Sequence, residues 1–297
     1  MTAAEIAAAV PAMVLATDLS SRCDRAFDRA CALAAARGAT LYVVTAVEGD
    51  IQGLSWGSRE RRALATMRAD ISEVLADRSL SWEPVVAAGH PHEVVMETAS
   101  RVGADLIIIG VARNELLGRL KPGRTVEALI RKAPAPVLVV RRRSIRGYRR
   151  IVVPTDYSVA AELALFRAAC MFPDAQFTLL HGYRVPFAGF LTEQSHQGEI
   201  EALALHEQGD FIARVEARIG QAGRFTTLVA YGGPDELVSE YIGGNAPDLM
   251  VVGAHDHSGV LGALSADVAG RLLMAVGCDV LVVPEASEKK KTKTGAP

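Results

Sequence analysis

The chain alternates short apolar runs with longer amphipathic stretches. Five runs in the first half are nearly continuous and rich in β-branched residues, as expected for parallel strands covered on both faces. They are residues 13–17, 40–47, 83–87, 105–109 and 136–140. The stretches between them repeat apolar residues with helical periodicity. They predict helices at 22–37, 59–79, 91–102 and 124–132.

The second half repeats the first. Its predicted strands lie near 151–154, 176–181, 226–230, 248–252 and 279–283. Four segments recur in the same order, 138 to 143 positions apart: Met13–Ser20 with Ile151–Ser158, Gly89–Val95 with Gly232–Val238, Ala104–Gly110 with Pro247–Gly253, and Val137–Val140 with Val280–Val283. Two copies indicate a duplicated domain rather than a solenoid. We predict domain 1 over 1–143, domain 2 over 144–286, and a Lys-rich disordered tail over 287–297.

This alternation of strands and helices predicts an α/β fold. Strand–helix–strand units of this length form parallel sheets with right-handed crossovers. We therefore expect two tandem domains, each a five-stranded, doubly wound parallel sheet with helices on both faces.

Composition and charge exclude several classes of protein. Half of the residues are apolar, 22% are charged and the net charge is −2, so no global basic field points to nucleic acid. No apolar run is long enough to span a membrane, and Met1–Val10 lacks the basic residues of a signal peptide. The four cysteines form no C-x-x-C pair. We expect a cytoplasmic protein with neither nucleic-acid nor membrane partners.

The element order and the repeated motifs resemble the universal stress protein family, and the resemblance implies two tandem flavodoxin-like or HUP-type domains. The resemblance runs from Ala12 to Val283 as two modules. ATP-binding members of that family place an Asp at the end of the first strand and carry the motif G-x2-G-x9-G-[ST] after the fourth. The resemblance therefore implies an adenine nucleotide, with Mg²⁺, at the carboxyl ends of the strands, where open α/β sheets bind ligands.

Domain 1 retains part of this motif. The implied nucleotide-binding residues are Thr17, Asp18, Ala46, Gly110, Arg113, Gly123, Arg124 and Thr125. Arg113 stands where the second glycine belongs, and Arg124 replaces the Ser/Thr. Their side chains either block the approach of the phosphates or pair with them, and the sequence leaves both interpretations open. Asp18 also has a structural interpretation, as a helix cap together with Ser20.

Domain 2 departs further from the motif. Gly253 keeps the first glycine position, but Asp256, Ala266 and Asp267 occupy the others. Carboxylates facing phosphates are unfavourable. We therefore expect domain 2 not to bind ATP in the same way, with Asp156 and Ser158 serving as a helix cap.

Three histidines of domain 2 suggest a second kind of site. His181 ends the second strand, and His255 and His257 follow the fourth. These strand ends share one edge of the sheet, so the histidines and Asp256 are able to converge on Zn²⁺. The alternative is that they are surface or hydrogen-bonded residues.

No catalytic signature is present. The chain contains no G-x-S-x-G elbow, no G-x-x-x-x-G-K-[ST] loop and no H-E-x-x-H. We expect a stress-response protein that binds adenine nucleotide in domain 1 and regulates rather than turns over a substrate. The alternatives are a nucleotide-free adaptor that holds an apolar ligand or a metal, and a slow ATPase. We also expect the two domains to pair as an intramolecular pseudo-dimer, and chains to associate as homodimers.

Overall fold

A computed structural model describes most of the chain. The described residues are 11–47, 56–75, 79–111, 123–143, 146–183, 193–254, 270–273 and 276–284. They cluster into two compact units that divide between Gly147 and Tyr148. Several predicted features lie outside the described residues: Arg113, His255, Asp256, His257, Ala266, Asp267 and the tail 287–297.

Domain 1 alternates strands and helices as predicted. Its strands are β1 (Ala12–Ala16), β2 (Thr40–Val47), β3 (Trp82–Ala88), β4 (Leu106–Gly110) and β5 (Val137–Val140). Its helices are α1 (Asp24–Arg37), α2 (Trp56–Leu75), α3 (Pro91–Val102) and α4 (Arg124–Lys132). A short 3₁₀ turn, Ser21–Cys23, precedes α1, where the sequence pattern predicted a continuous helix from residue 22.

The strands of domain 1 form a parallel sheet in the order β3-β2-β1-β4-β5. The prediction of a doubly wound parallel α/β fold is confirmed. The order reverses between β1 and β4, so the crevice for ligands opens there. In the flavodoxin fold, whose strand order is 2-1-3-4-5, the corresponding reversal lies between the first and third strands.

Domain 2 has the same architecture. Its strands are β6 (Arg150–Pro154), β7 (Gln176–Tyr183), β8 (Phe225–Tyr231), β9 (Leu249–Ala254) and β10 (Asp279–Pro284). Its helices are α5 (Val159–Met171), α6 (Glu193–Ile219) and α7 (Pro234–Asn245), and residues 270–273 are also helical. The strands pair in parallel in the order β10-β9-β6-β7-β8, which matches domain 1 position for position.

The repeated Asp before the fourth strand has a structural role in both domains. Asp105 Oδ2 accepts a hydrogen bond from the backbone N–H of Ala12 at 3.2 Å. Asp248 Oδ2 accepts from the N–H groups of Arg149 and Arg150 at 2.9 and 2.8 Å. Each carboxylate thus ties the start of its domain's first strand to the start of the fourth.

The first motif glycine has different surroundings in the two domains. A Cβ on Gly253 would lie 2.6 Å from the carbonyl oxygen of Ala160, which is too close for a real contact. A Cβ on Gly110 would lie 3.6 Å from the Cβ of Ala26 and 3.7 Å from the carbonyl oxygen of Arg22, which are ordinary contacts. Helix packing therefore requires the glycine in domain 2 but not in domain 1.

We expect Gly253→Ala to lower the free energy of unfolding by about 1–3 kcal/mol, because backbone would have to move. Gly110→Ala is the matched control, with an expected change below about 1 kcal/mol. Urea denaturation of the full chain, together with hydrogen exchange of the β9 and β4 amides, measures both effects. Equal destabilisation by the two substitutions would contradict this account of the glycines.

Candidate functional site

A cavity of about 260 Å³ opens at the carboxyl ends of β1, β2 and β4. It lies at the reversal of strand order, where open α/β sheets bind ligands. The starts of α3 and α4 and the turn before α1 complete its walls. Its lining residues are Ala16, Thr17, Asp18, Arg22, Cys23, Val44, Ala46, Pro91, Val95, Ile109, Gly110, Val111, Gly123, Thr125 and Val126.

The cavity brings together six of the eight residues predicted for the nucleotide site. They are Thr17, Asp18, Ala46, Gly110, Gly123 and Thr125. Arg124 is the first residue of α4, and its exposed side chain is not part of the lining. The role of the six lining residues in binding stays a prediction. Their convergence shows that residues more than 100 positions apart line one cavity.

Sequence reasoning missed the contribution of the turn before α1. Arg22 and Cys23 both line the cavity, four and five residues after Asp18. The helical pattern placed both residues in a continuous helix beginning at residue 22. The 3₁₀ turn instead directs this segment over the end of β4. The signal available in the sequence was the closeness of Arg22 and Cys23 to Asp18 along the chain.

The turn after β1 is held by two hydrogen bonds from backbone to side chain. Thr17 Oγ1 accepts from the N–H of Leu19 at 3.0 Å, and Asp18 Oδ1 accepts from the N–H of Ser20 at 2.9 Å. Leu19 between them has φ +61°, a left-handed conformation that leucine rarely adopts. The two side chains stabilise this conformation, which directs the chain away from the sheet toward the 3₁₀ turn.

Domain 2 forms the same turn with different neighbours. Thr155 Oγ1 accepts from the N–H of Tyr157, and Asp156 Oδ1 accepts from the N–H of Ser158, both at 3.0 Å. Ser158 also caps α5, because its Oγ accepts from the N–H of Ala161 at 3.2 Å. Asp156 therefore shapes the turn rather than capping the helix. In domain 1, the side chain of Ser20 makes no such cap bond.

Asp18 is an anionic acceptor within the cavity. Partial burial acts to raise its pKa, but hydrogen bonds from Ser20 and from the Cys23 thiol outweigh burial and hold the pKa below its ordinary value. The Cys23 Sγ lies 3.2 Å from Asp18 Oδ1. Burial and the neighbouring carboxylate raise the pKa of Cys23, so the sulfur remains a protonated donor at neutral pH.

Ala46 offers a backbone donor and acceptor at the cavity edge. The carbonyl of Val44 accepts from the N–H of Thr17 at 3.0 Å, so the backbone groups of Val44 face β1. Because these groups alternate along a strand, those of Ala46 face the same side, beyond the end of β1. The carbonyl oxygen of Thr17 accepts its hydrogen bond from Thr45 Oγ1 at 2.8 Å.

The corresponding positions of domain 2 are packed by protein. Ala160 and Ala161 replace Arg22 and Cys23 and are 3% and 4% exposed. Gly182 takes the position of Ala46 by strand register. A Cβ there would lie 2.8 Å from Leu237 Cδ1. The described part of domain 2 therefore lacks the space that these positions leave open in domain 1.

His181 has a structural contact that its sequence position did not reveal. Its Nδ1 lies 2.8 Å from the carbonyl oxygen of Thr155. In domain 1, Thr45 Oγ1 makes the equivalent hydrogen bond to the carbonyl oxygen of Thr17. A carbonyl only accepts, so Nδ1 carries the proton. The ring also stacks on Tyr157, with centroids 4.3 Å apart.

The zinc hypothesis stays a prediction. His255 and His257 lie outside the described residues. Within the described ranges, no group of three or more His, Cys, Asp or Glu side chains is arranged to hold a metal ion. None of the helices in these ranges is long and apolar enough to cross a membrane.

The fold is a doubly wound α/β domain, present twice, with a cavity at the strand-order reversal of the first copy. The model of the universal stress protein family matches both copies, at residues 11–141 and 147–284. The chain belongs to the universal stress protein family, in its tandem two-domain form, and the resemblance stated from the motifs is confirmed.

The chain is similar to several proteins described as universal stress proteins. A universal stress protein structure from Pseudomonas aeruginosa UCBPP-PA14 is 16% identical, covers 95% of both chains and has a TM-score of 0.67. Universal stress protein MJ0577 of Methanocaldococcus jannaschii is 32% identical over 75 residues, which span 25% of this chain and 46% of that protein. A universal stress protein solved in complex with cAMP is 21% identical and covers 46% of this chain and 98% of its own, with a TM-score of 0.35.

The lowered pKa of Asp18 predicts a pH dependence of stability. Its folded-state pKa lies below the ordinary value of 3.8, so the ionised carboxylate stabilises the fold. That contribution is present above about pH 4 and is lost as the pH falls through the folded-state pKa. Asp18→Asn keeps an acceptor for Ser20 but cannot ionise. Thermal melting between about pH 5 and pH 2.5 should therefore fall more steeply in the wild type than in the variant. Parallel curves would contradict the prediction.

Proposed function

We propose that domain 1 binds an adenine nucleotide and that the protein is a cytoplasmic stress-response regulator rather than a turnover enzyme. The observation that carries the proposal is the convergence of Asp18, Ala46 and the start of α4 on one apolar cavity. Each of these suits a different part of a nucleotide.

The apolar walls suit a planar base. Val95, Ile109 and Val126 line the cavity on the side of α3, β4 and α4. Ala46 presents one N–H donor and one carbonyl acceptor at the edge, which is the pair that the amino-pyrimidine edge of adenine requires. The volume of about 260 Å³ lies just below the roughly 300–1,000 Å³ usual for ligand sites, so the cavity suits a small ligand such as a nucleoside.

Asp18 suits the ribose hydroxyls. An ionised carboxylate accepts hydrogen bonds from hydroxyl groups, and its Oδ2 accepts none from any described residue. The turn that holds Oδ1 therefore leaves the second oxygen available to a ligand.

The start of α4 suits the phosphates. Gly123 precedes the helix in an extended conformation and makes no side-chain cap, and both Gly123 and Thr125 line the cavity. The first N–H groups of a helix lack partners within the helix and favour an anion. Asp18 is the one carboxylate among the described lining residues, so Mg²⁺ would enter mainly on the phosphates.

A regulatory role is favoured over hydrolysis by the chemistry of the lining. The described lining contains one carboxylate that stays ionised and one thiol whose pKa is raised, but neither His nor Lys. General acid–base catalysis near neutral pH needs a group that titrates there. We propose that domain 2 supports the fold or contacts partners, since it repeats the fold but packs the equivalent positions closed.

Calorimetric titration with ATP and Mg²⁺ tests the proposal. We expect about one nucleotide per chain in the wild type. Asp18→Asn should weaken binding roughly tenfold or more, because a charge-assisted hydrogen bond is lost while the turn keeps its acceptor.

Asp156→Asn is the matched control, because it makes the same change in the equivalent turn of domain 2. It should leave the affinity within about twofold of the wild type, well under the tenfold step that corresponds to 1.4 kcal/mol. Absence of binding at millimolar ATP would overturn the proposal and favour an adaptor without nucleotide. Equal losses in the two variants would exclude domain 1 as the specific site.

A further inference from the structure

Arg22 is the one basic side chain among the described residues that line the domain 1 cavity. It lies in the 3₁₀ turn between β1 and α1. Its guanidinium forms no hydrogen bond or ion pair with any described residue. Asp18 lines the same cavity four residues earlier, yet the described contacts include no ion pair between them.

The turn after β1 already engages the Asp18 carboxylate. Asp18 Oδ1 already accepts from the N–H of Ser20 and from the thiol of Cys23. The carboxylate is therefore oriented by its own turn rather than by Arg22. An anionic acceptor and a cation that are not paired with each other in the described contacts thus line the same cavity, which suits a ligand that carries both hydroxyls and an anionic group.

Arg22 lies beside the place where phosphates are expected. Its carbonyl oxygen is 3.7 Å from a Cβ built on Gly110, so the residue sits over the end of β4, where the glycine motif begins. Gly123 and Thr125 at the start of α4 line the same cavity. An unpaired guanidinium and a helix N-terminus both favour an anion, and an arginine binds phosphate through two parallel hydrogen bonds.

Domain 2 has no equivalent of this cation. Ala160 occupies the position of Arg22 and is buried. The difference between the domains at this position is therefore one of charge as well as of space.

We propose that Arg22 makes domain 1 selective for a phosphorylated nucleoside over the neutral nucleoside, by holding a phosphate next to Gly110 and the start of α4. This role rests on the proposed function, because it assigns the phosphate contact of the same site. Of the two arginines in the motif, Arg113 lies outside the described residues and Arg124 does not line the cavity, whereas Arg22 does.

The test compares adenosine, AMP and ATP as ligands of the full chain by calorimetry. The wild type should bind AMP and ATP roughly tenfold or more tightly than adenosine. Arg22→Ala should remove that difference and leave the affinity for adenosine within about twofold. Arg22→Lys keeps the charge but loses the bidentate geometry, so it should restore only part of the difference.

Arg25→Ala is the matched control. It removes one cation from the same segment, but Arg25 donates to the carbonyl oxygen of Arg141 at 2.9 Å and does not line the cavity. It should leave the preference for phosphorylated ligands unchanged. Circular dichroism and thermal melting establish that each variant is folded.

The outcomes separate this inference from the proposed function. If the wild type binds adenosine and AMP equally, or if Arg22→Ala weakens both equally, Arg22 is not the selective contact, while nucleotide binding by domain 1 stands. If Arg25→Ala abolishes the preference as well, the preference arises from the overall positive charge of this segment, and its assignment to Arg22 fails. If the wild type binds no adenine ligand, the proposed function fails and the role of Arg22 fails with it.

Discussion

The turn after the first strand is the constraint on which the rest of each domain depends. Two side chains, a Thr and an Asp, each accept a hydrogen bond from the backbone two residues ahead. They hold Leu19 in domain 1, and Tyr157 in domain 2, in a left-handed conformation that such residues otherwise avoid. The turn directs the first helix back across the sheet and leaves an Asp at the strand-order reversal.

The same turn is followed by different structures in the two domains. In domain 1 the chain continues through a 3₁₀ turn that leaves Arg22 and Cys23 facing a cavity. In domain 2 it enters the helix directly, capped by Ser158, and buried Ala160 lies against Gly253. The retained Asp is therefore weak evidence of a ligand by itself, because its hydrogen bonds to the backbone explain it in both copies. The surrounding space distinguishes a binding site from a fold element.

Most of the fold was predictable because its signals are local and repeated. Continuous β-branched runs, helical periodicity and four recurring segments led to the class, the strands and the duplication, which the strand pairing and the family match confirm. The candidate site was predictable in part. Asp18, Gly110 and Gly123 follow from a motif with fixed spacing, and the cavity brings them together. Arg22 could not be found in this way, because a helical pattern cannot show that the first turn changes to 3₁₀ geometry.

Hydrophobic periodicity and motif spacing are properties of the chain, so they suffice to establish the α/β class, the duplication and the polar residues at the strand ends. Which of those residues line a common cavity depends on how the folded chain packs. Side-chain burial and contacts arise between segments far apart in the chain, and they open the cavity at Ala46 and Arg22 while packing Gly182 and Ala160 closed. Tertiary contacts also place His181 against the carbonyl oxygen of Thr155, a contact that the spacing of residues along the chain does not predict.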